Sequence, residues 1–134
     1  MAAGHLITGR AGEELAAAFL REKGFRIVEI NYRCQGGEID LICEDRQTLV
    51  FVEVKTRSAT RRGEPGEAIT RSKRARLVKA AARYLTSKKL WEKPCRFDLV
   101  SILFLTGETV AEHWEDIIDA RDGLDRGHAP WQPW

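Results

Sequence analysis

The sequence predicts one α/β domain, in which helices flank a mixed β-sheet. Three observations support this fold class. The predicted elements follow in the order helix, three strands, helix, two strands. The chain has 134 residues, the size of a single domain with a substantial core. Hydrophobic residues make up 43% and charged residues 31% of the chain, as in ordinary globular proteins, and no internal repeat divides it.

Two segments have the residue spacing of amphipathic helices. The first covers residues 8–23, with Thr8 as its N-cap and Gly24 as its stop signal. Its predicted apolar stripe consists of Gly12, Leu15, Ala16, Phe19 and Leu20. The second helix covers residues 68–85, with a predicted apolar stripe of Val78, Ala81, Ala82 and Leu85. Its other side is predicted to carry Lys73, Arg76, Lys79 and Arg83.

Five segments have the composition and alternation of strands. They cover residues 25–33, 38–43, 49–55, 96–105 and 109–114. Residues 44–48 are the predicted turn between the second and third strands, and Gly107 marks the turn before the fifth. Residues 57–67 are predicted to form a loop. We place the domain at residues 1–122 and an irregular tail at residues 123–134.

The composition favours a cytoplasmic protein with no membrane partner. No apolar run reaches the roughly 20 residues that a membrane span needs. The first residues lack the basic and apolar pattern of a signal peptide. The three cysteines, Cys34, Cys43 and Cys95, are odd in number and widely spaced. We therefore expect reduced, mostly buried thiols and no zinc site.

Positive charge is concentrated in one part of the chain, although the net charge is only +2. Residues 55–89 hold 12 Lys/Arg and two acidic residues, whereas the segments on both sides hold more acids than bases. A basic block of this kind is typical of a surface that binds a polyanion such as nucleic acid. A solvated helix face has the same composition, so charge alone leaves both interpretations open.

Charged residues also interrupt the second and third strands, where apolar residues are expected. Side chains alternate between the two faces of a strand. Glu38 and Asp40 are therefore predicted to share a face, and so are Glu53 and Lys55. The opposite face of the second strand is predicted to carry Ile39 and Leu41.

A symmetric hairpin turn at residues 46–47 would bring these charges together. It places Asp40 opposite Glu53, and Glu38 opposite Lys55, with Cβ atoms about 5 Å apart. The pair of Glu38 and Lys55 is favourable. Two opposed carboxylates are not, unless one takes up a proton through a raised pKa or a cation lies between them.

Two chemical interpretations of this cluster are open. Asp40 and Glu53, with a backbone carbonyl and waters, would form an oxygen site suited to Mg²⁺. Lys55 would project from the same face, and a metal with an ammonium group suits phosphodiester hydrolysis. Alternatively, the charges form only an internal ion network, with Glu38 paired to Lys55 and Asp40 paired to Arg57 or Arg33.

Two further polar residues lie at predicted margins. Glu13 falls at the edge of the apolar stripe of the first helix, from which it could reach the sheet, whereas Glu14 faces solvent. The alternative for Glu13 is an exposed acid near the helix start, favoured by the helix dipole. His113, near the end of the last strand, is interpreted as a packed residue.

Several stretches of the sequence, taken in order, resemble one family. They are GRAGEELAAAFL, GFRIVEINYRC, GGEIDLICED, LVFVEVKTR, ITRSKRARLVKAAARYL and RFDLVSI. From about residue 9 to residue 113 the chain is similar to the YraN-type bacterial proteins, a family of uncharacterised predicted endonucleases. Asp40 followed by Glu53-Val54-Lys55 resembles the D…E-x-K signature of restriction-endonuclease-like nucleases, written PD-(D/E)-x-K, although residue 39 is Ile rather than Pro. Archaeal Holliday-junction resolvases look like more distant relatives.

The resemblance implies roles for particular residues. Glu13 corresponds to the helix glutamate of the resolvases and is expected at the metal site. Asp40 and Glu53 correspond to metal ligands, the Val54 carbonyl to a further ligand, and Lys55 to the catalytic lysine. Glu38, which the spacing places opposite Lys55, would support that lysine. The implied metal is Mg²⁺ or Mn²⁺, bound weakly without substrate. Lys73 matches a lysine in the second helix of the family, with no role that we can assign from sequence.

The resemblance therefore implies a metal-dependent DNA endonuclease with a restriction-endonuclease-like fold. Selectivity for branched or junction DNA is one form of this hypothesis. One alternative is a nucleic-acid-binding module with this fold and little activity. Another is a protein-interaction domain whose charged strands form only an ion network. Contacts to the nucleic-acid backbone are expected from Arg57, Arg61, Arg62, Lys73, Arg76 and Lys79. Because junction resolvases act as dimers, the resemblance also raises the expectation of a homodimer.

Overall fold

The computed structural model describes residues 2–57 and 69–118. These residues form helix α1 (Ala2–Glu22), strands β1 (Arg26–Cys34), β2 (Gly37–Asp45) and β3 (Thr48–Arg57), helix α2 (Arg71–Lys88), and strands β4 (Cys95–Leu105) and β5 (Glu108–Trp114). The predicted order of two helices and five strands is confirmed. The predicted tail at 123–134 and nearly all of the predicted loop at 57–67 lie outside the described residues.

The five strands form one mixed sheet in the order β1-β2-β3-β4-β5, which confirms the α/β class. Only β3 and β4 run parallel in this sheet; the other neighbouring strands are antiparallel. A parallel pair cannot be joined by a tight turn, and the chain between these two strands contains α2. β3 is the central strand of the sheet, and α2 connects it to its parallel neighbour β4.

The two helices cover opposite faces of the sheet. On one face, Ala16 and Leu20 of α1 pack with Val50 and Val52 of β3. On the other face, α2 packs on the sheet through a cluster that includes Leu77, Ala80, Tyr84, Leu49 and Phe51. Because both faces of β3 are covered, its residues read as a continuous apolar run up to Glu53.

Helix α1 ends as expected but begins earlier than expected. Gly24 has a φ of 99°, and its N–H donates to the Arg21 carbonyl at 2.9 Å. The Phe25 N–H donates to the Leu20 carbonyl at 3.0 Å, which completes a Schellman motif and confirms the stop at Gly24. The helix starts at Ala2, so the predicted N-cap at Thr8 is wrong.

The packed stripe of α1 also differs from the predicted one at two residues, Leu15 and Ala17. Gly12, Ala16 and Leu20, spaced four residues apart, are buried together with Ala17, and Phe19 is partly buried. Leu15 is 39% exposed, so its placement in the stripe is wrong. The stripe follows the four-residue spacing more closely than the three-residue spacing that would include Leu15.

Helix α2 is displaced along the chain and rotated relative to the prediction. It covers Arg71–Lys88 rather than 68–85, and the Thr70 hydroxyl caps it by accepting the Lys73 N–H at 3.1 Å. Val78 and Ala82 are only partly buried. The residues that bury fully are Leu77, Ala80, Ala81, Tyr84 and Leu85. This rotation places Lys73, one turn before Leu77, on the side of α2 that faces the sheet.

The hairpin between β2 and β3 has the predicted register. Pairing runs from Asp45↔Thr48 to Leu41↔Val52, around a turn in which Arg46 has a φ of 61°. The paired register ends at Leu41↔Val52, so the predicted opposition of Asp40 to Glu53 and of Glu38 to Lys55 lies beyond the paired ladder and stays a prediction.

The alternation of β2 changes at Asp40, which the sequence did not indicate. The pairing of β1 with β2 skips Asn31 and Asp40, and Asn31 has a left-handed φ of 63°. Ile39 packs in the cluster under α2, whereas Leu41 packs in the cluster under α1. The prediction that these two residues share a face is therefore wrong, because the irregular backbone beside Asp40 interrupts the two-residue period.

Two further features of the described residues concern the cysteines and the helices. Cys34, Cys43 and Cys95 are free thiols, as expected, and Cys43 is buried while the other two are half-buried. Neither α1 nor α2, the two helices in the described ranges, is long and apolar enough to span a membrane.

Candidate functional site

Three acidic side chains approach one another from three elements, at the point where β3 leaves its pairing with β2. Glu13 comes from α1, Asp40 from β2 and Glu53 from β3. Glu53 is buried, with a side chain only 7% exposed. Each of the other two carboxyls experiences the negative charge of Glu53. The structure thus brings together the three acids that the sequence singled out.

Asp40 is held by the backbone of β3. The Val54 N–H donates to Asp40 Oδ2 at 2.8 Å. Burial raises the pKa of Asp40 to about 7, and the charges of Glu53 and Glu13 add to the increase. The Val54 hydrogen bond and the charge of Lys73 oppose it. The sequence left open two ways to reconcile two close carboxylates, a raised pKa or a bound cation, and the raised pKa of Asp40 corresponds to the first.

Glu13 reaches the site because α1 approaches the end of β3 closely. A Cβ atom on Gly12 would lie 2.0 Å from Thr56 Cγ2, so a larger residue at this crossing would require the Thr56 side chain to move. Burial raises the pKa of Glu13, while its hydrogen-bonding contact with Asp40 and the charge of Arg33 lower it in part. Glu13 is therefore not a fully exposed acid near the helix start, and that alternative is wrong.

Lys73 belongs to the site, which the sequence analysis missed. Its ammonium Nζ forms an ion pair with Glu53 Oε2, and its side chain is 44% exposed. Burial lowers the pKa of Lys73, but the bond to Glu53 and the charges of Glu53 and Asp40 outweigh burial and raise it. Its predicted orientation away from the sheet is wrong. The available signal was its four-residue spacing from Leu77 on the buried face of α2.

Lys55 follows Glu53 by two positions on β3 and is half-buried beside Ser101 of β4. In the described ranges no acid forms an ion pair with it. Glu38 is paired with Arg33 instead, at 3.9 Å. The ion network proposed as the alternative interpretation, with Glu38 on Lys55 and Asp40 on Arg57 or Arg33, is therefore wrong in its partners.

The residues expected to contact nucleic acid lie in different environments. Arg57 is half-buried at the end of β3, and Lys73 faces Glu53. Arg76 and Lys79 are exposed on α2. Lys79 extends over the turn between β1 and β2, because a Cβ atom on Gly36 would lie 2.7 Å from its Nζ. Arg61 and Arg62 lie outside the described residues.

The donors available for a metal ion are all oxygens. Asp40, Glu53 and the Val54 carbonyl match the ligands that Mg²⁺ and Mn²⁺ prefer, so the chemistry of the donor set fits such an ion. Within residues 2–57 and 69–118, however, no three His, Cys, Asp or Glu side chains are placed to hold a metal together. The negative charge is met instead by the raised pKa of Asp40 and by Lys73.

A second charged cluster, on the face covered by α1, was also missed. Asp98 is fully buried and accepts hydrogen bonds from Arg96 Nε at 3.0 Å and from the Asp116 N–H at 2.9 Å. His113 Nε2 lies 2.9 Å from Asp98, and His113 Nδ1 lies 2.6 Å from Lys23 Nζ. Burial alone would raise the pKa of Asp98, but these hydrogen bonds lower it. The available signal was an acid in the middle of an apolar strand.

This geometry defines a class of protein: a single α/β domain whose five-stranded mixed sheet carries a partly buried acidic site, to which α1 contributes Glu13 and α2 contributes Lys73. The sequence profile of a family described as "Uncharacterised protein family UPF0102" matches residues 12–102, a range that includes every acid and lysine of the site. The chain belongs to UPF0102, the family of the YraN type, which confirms the resemblance found in the sequence.

Curated relatives extend the similarity over most of the chain. A UPF0102 protein of Nitratidesulfovibrio vulgaris is 44% identical over 127 residues, which cover 95% of each chain. One from Lawsonia intracellularis is 42% identical over 126 residues, covering 94% of this chain and 96% of the relative. One from Syntrophomonas wolfei is 49% identical over 105 residues, covering 78% and 91% respectively. These names describe no activity.

Proposed function

We propose that the chain is a metal-dependent nuclease that hydrolyses phosphodiester bonds of DNA. The observation that carries the proposal is the convergence of Glu13, Asp40 and Glu53 beside Lys73. A cluster of acids in which one carboxyl has its pKa raised to about 7 is costly to a fold, and such clusters concentrate at functional sites.

Each residue of the site has a separate role in the proposed reaction. Asp40, Glu53 and the Val54 carbonyl would hold a divalent cation, which supplies Lewis-acid activation of the phosphodiester when bound. Glu13 orients the Asp40 carboxyl from the side of α1. Because Asp40 binds a proton with a pKa of about 7, protons compete with the cation in acidic solution. Lys55 stabilises the negative charge that develops on the phosphate.

The basic side of α2 supports a nucleic-acid substrate. Arg76 and Lys79 are exposed, and they follow Lys73 along the same helix. The row of basic residues on α2 therefore starts next to the acidic site. Exposed cations in this position attract a phosphate backbone without reading its sequence. We propose in addition that the nuclease selects branched DNA and that it acts as a homodimer with two-fold symmetry.

A second candidate function is a nucleic-acid-binding module without appreciable catalysis. The observation that favours it is the ion pair between Lys73 and Glu53, which satisfies the buried carboxylate without any metal. In this case the basic side of α2 would bind nucleic acid, and the acids would serve only to position α1 and α2 on the sheet.

Cleavage assays on a panel of DNA structures separate the two candidates. Labelled linear, flapped and four-way DNA would be incubated with the protein in Mg²⁺ or Mn²⁺, beside Glu53→Gln and a chelator control. The nuclease requires cleavage of at least one substrate, abolished by chelator and by Glu53→Gln. Binding to all substrates without cleavage of any would support the binding module instead.

A further inference from the structure

Lys73 is the described partner of the most buried acid of the site. Its Nζ contacts Glu53 Oε2, one of the oxygens that a metal ion would need. We propose that the Lys73 ammonium is a built-in counter-cation that occupies Glu53 until a divalent ion displaces it. This inference rests on the proposed function, and it adds a residue that regulates access of the metal to the site.

The environment of Glu53 requires a cation in either state. Its side chain is only 7% exposed, and an unpaired carboxylate buried to this extent is strongly destabilising. Lys73 satisfies it now, and its charge also acts on the nearby Asp40. A divalent ion on the same carboxylate would take over this role and would repel the ammonium.

The Lys73 side chain can move away from Glu53 without disturbing the fold. Its side chain is 44% exposed, so the ammonium can move into water. Its backbone stays fixed, because its N–H is held by the Thr70 hydroxyl that caps α2. One turn further along, Leu77 anchors the helix in the core. Exchange of the two cations therefore needs a side-chain movement only.

The released ammonium would remain at the edge of the site. It projects from the first turn of α2, the same helix that exposes Arg76 and Lys79. From there its charge is available to a phosphate, so metal binding would convert Lys73 from the partner of a carboxylate into part of the phosphate-binding surface.

Calorimetric titration with Mn²⁺, without nucleic acid, tests the inference. Lys73→Gln removes the competing charge and should bind Mn²⁺ about fivefold more tightly than wild type, the scale expected when a half-exposed ion pair is removed. Lys73→Arg keeps the charge and should bind like wild type. Lys79→Gln, an exposed lysine on the same helix, is the matched control and should also bind like wild type.

Equal or weaker Mn²⁺ binding by Lys73→Gln would overturn the inference while leaving the metal site intact. If Glu53→Gln binds Mn²⁺ as well as wild type, the proposed metal site itself is wrong. Absence of Mn²⁺ binding in every variant overturns both.

A second measurement covers the case in which Lys73→Gln does not fold. In wild-type protein carrying ¹³C-labelled lysine, Mg²⁺ should shift the Cε resonance of Lys73 as its ion pair breaks. The Cε resonance of Lys79 should not move. A Lys73 resonance that stays fixed while Mg²⁺ binds would contradict displacement.

Discussion

At the scale of single residues, Asp40 is the side chain whose ionisation the fold opposes most clearly within the site. It lies where the pairing of β2 with β3 ends, beside a left-handed Asn31 of β1 and between the acids of two other elements. Burial and the charges of Glu53 and Glu13 raise its pKa from 3.8 to about 7. An acid with a raised pKa binds its proton more tightly in the folded state than in the unfolded state.

We therefore predict that the free energy of unfolding decreases as the pH rises from about 4 to about 7. In this window the folded state holds the Asp40 proton and the unfolded state has released it, so each step upward in pH favours unfolding. Above about pH 7 this contribution becomes constant. Asp40→Asn, which stays neutral, should show a clearly flatter profile in denaturant titrations, with a remaining slope from the raised pKa of Glu13.

Glu14→Gln is the control for this experiment, because it removes an exposed acid of α1 that faces away from the site. Its stability profile should keep the wild-type shape. Parallel profiles of wild type and Asp40→Asn across the whole window would show that Asp40 is not the group responsible.

At the scale of elements, the crossing of α1 over the end of β3 brings Glu13 to the site. The crossing depends on Gly12, since a Cβ atom there would lie 2.0 Å from Thr56 Cγ2. Gly12→Ala should destabilise the protein by about 1–3 kcal/mol, as overpacking of a tight contact does. Helix propensity alone has the opposite sign, because alanine is favoured over glycine in a helix by roughly 0.5–1 kcal/mol.

A double-mutant cycle in denaturant titrations isolates this close approach. Thr56→Ser deletes the Cγ2 methyl and should recover part of the stability that Gly12→Ala removes. Ala18→Gly, at an exposed position of α1, measures the propensity contribution in the same helix. Stabilisation by Gly12→Ala, or destabilisations that simply add in the double variant, would contradict the close approach of α1.

Helix α2 combines a core element with a charged surface. Its buried side fixes Lys73 at the site, while Arg76 and Lys79 face solvent. Replacing both exposed residues by Gln should weaken DNA binding to a similar extent for different sequences. The slope of log Kd against log salt should fall by about 0.9 for each phosphate that the variant no longer neutralises.

Arg46→Gln is the control for the α2 surface, because Arg46 is exposed at the β2–β3 turn, at the other end of β3 from Glu53. Its affinity and salt slope, measured by fluorescence anisotropy, should match those of wild type. An unchanged slope in the α2 double variant would mean that this side of the helix is only solvated.

At the scale of the whole molecule, the sequence was sufficient for the order of elements and for the β2–β3 register. Both follow from short-range patterns, namely two-residue alternation and turn residues. It was also sufficient to single out Asp40 and Glu53, because acids within apolar strands are costly and therefore conspicuous. Glu13 was assigned to the site by the family resemblance.

The remaining features depend on interactions between distant parts of the chain. The ion pair of Lys73 and Glu53 joins residues 20 positions apart, and it required the true rotation of α2, which the alanine-rich sequence leaves poorly defined. The change of face at Asp40 coincides with the left-handed backbone of Asn31 on the neighbouring strand. Local sequence patterns predict neither the rotation of α2 nor the change of face at Asp40. Asp98 was a different case, because its position in an apolar strand was visible and its partners Arg96 and His113 were not.

In the proposed function, this acidic site acts with Lys55 to hydrolyse a phosphodiester bond. Lys55 can be tested cleanly, because Glu38 pairs with Arg33. Lys55→Ala should therefore leave no acid of the described ranges unpaired and should melt near the wild-type temperature. The variant keeps the basic residues of α2, so its affinity for DNA should also be close to that of wild type.

The most direct measurement is the single-turnover cleavage rate of wild type and Lys55→Ala, with saturating protein and Mg²⁺, on a substrate that the wild type cleaves. We expect Lys55→Ala to cleave about a hundredfold to a thousandfold more slowly, the usual cost of removing one charge-stabilising group, while its DNA affinity and melting temperature are retained. Equal cleavage rates for the two proteins, or no Mg²⁺-dependent cleavage by the wild type on any DNA structure, would contradict the claim.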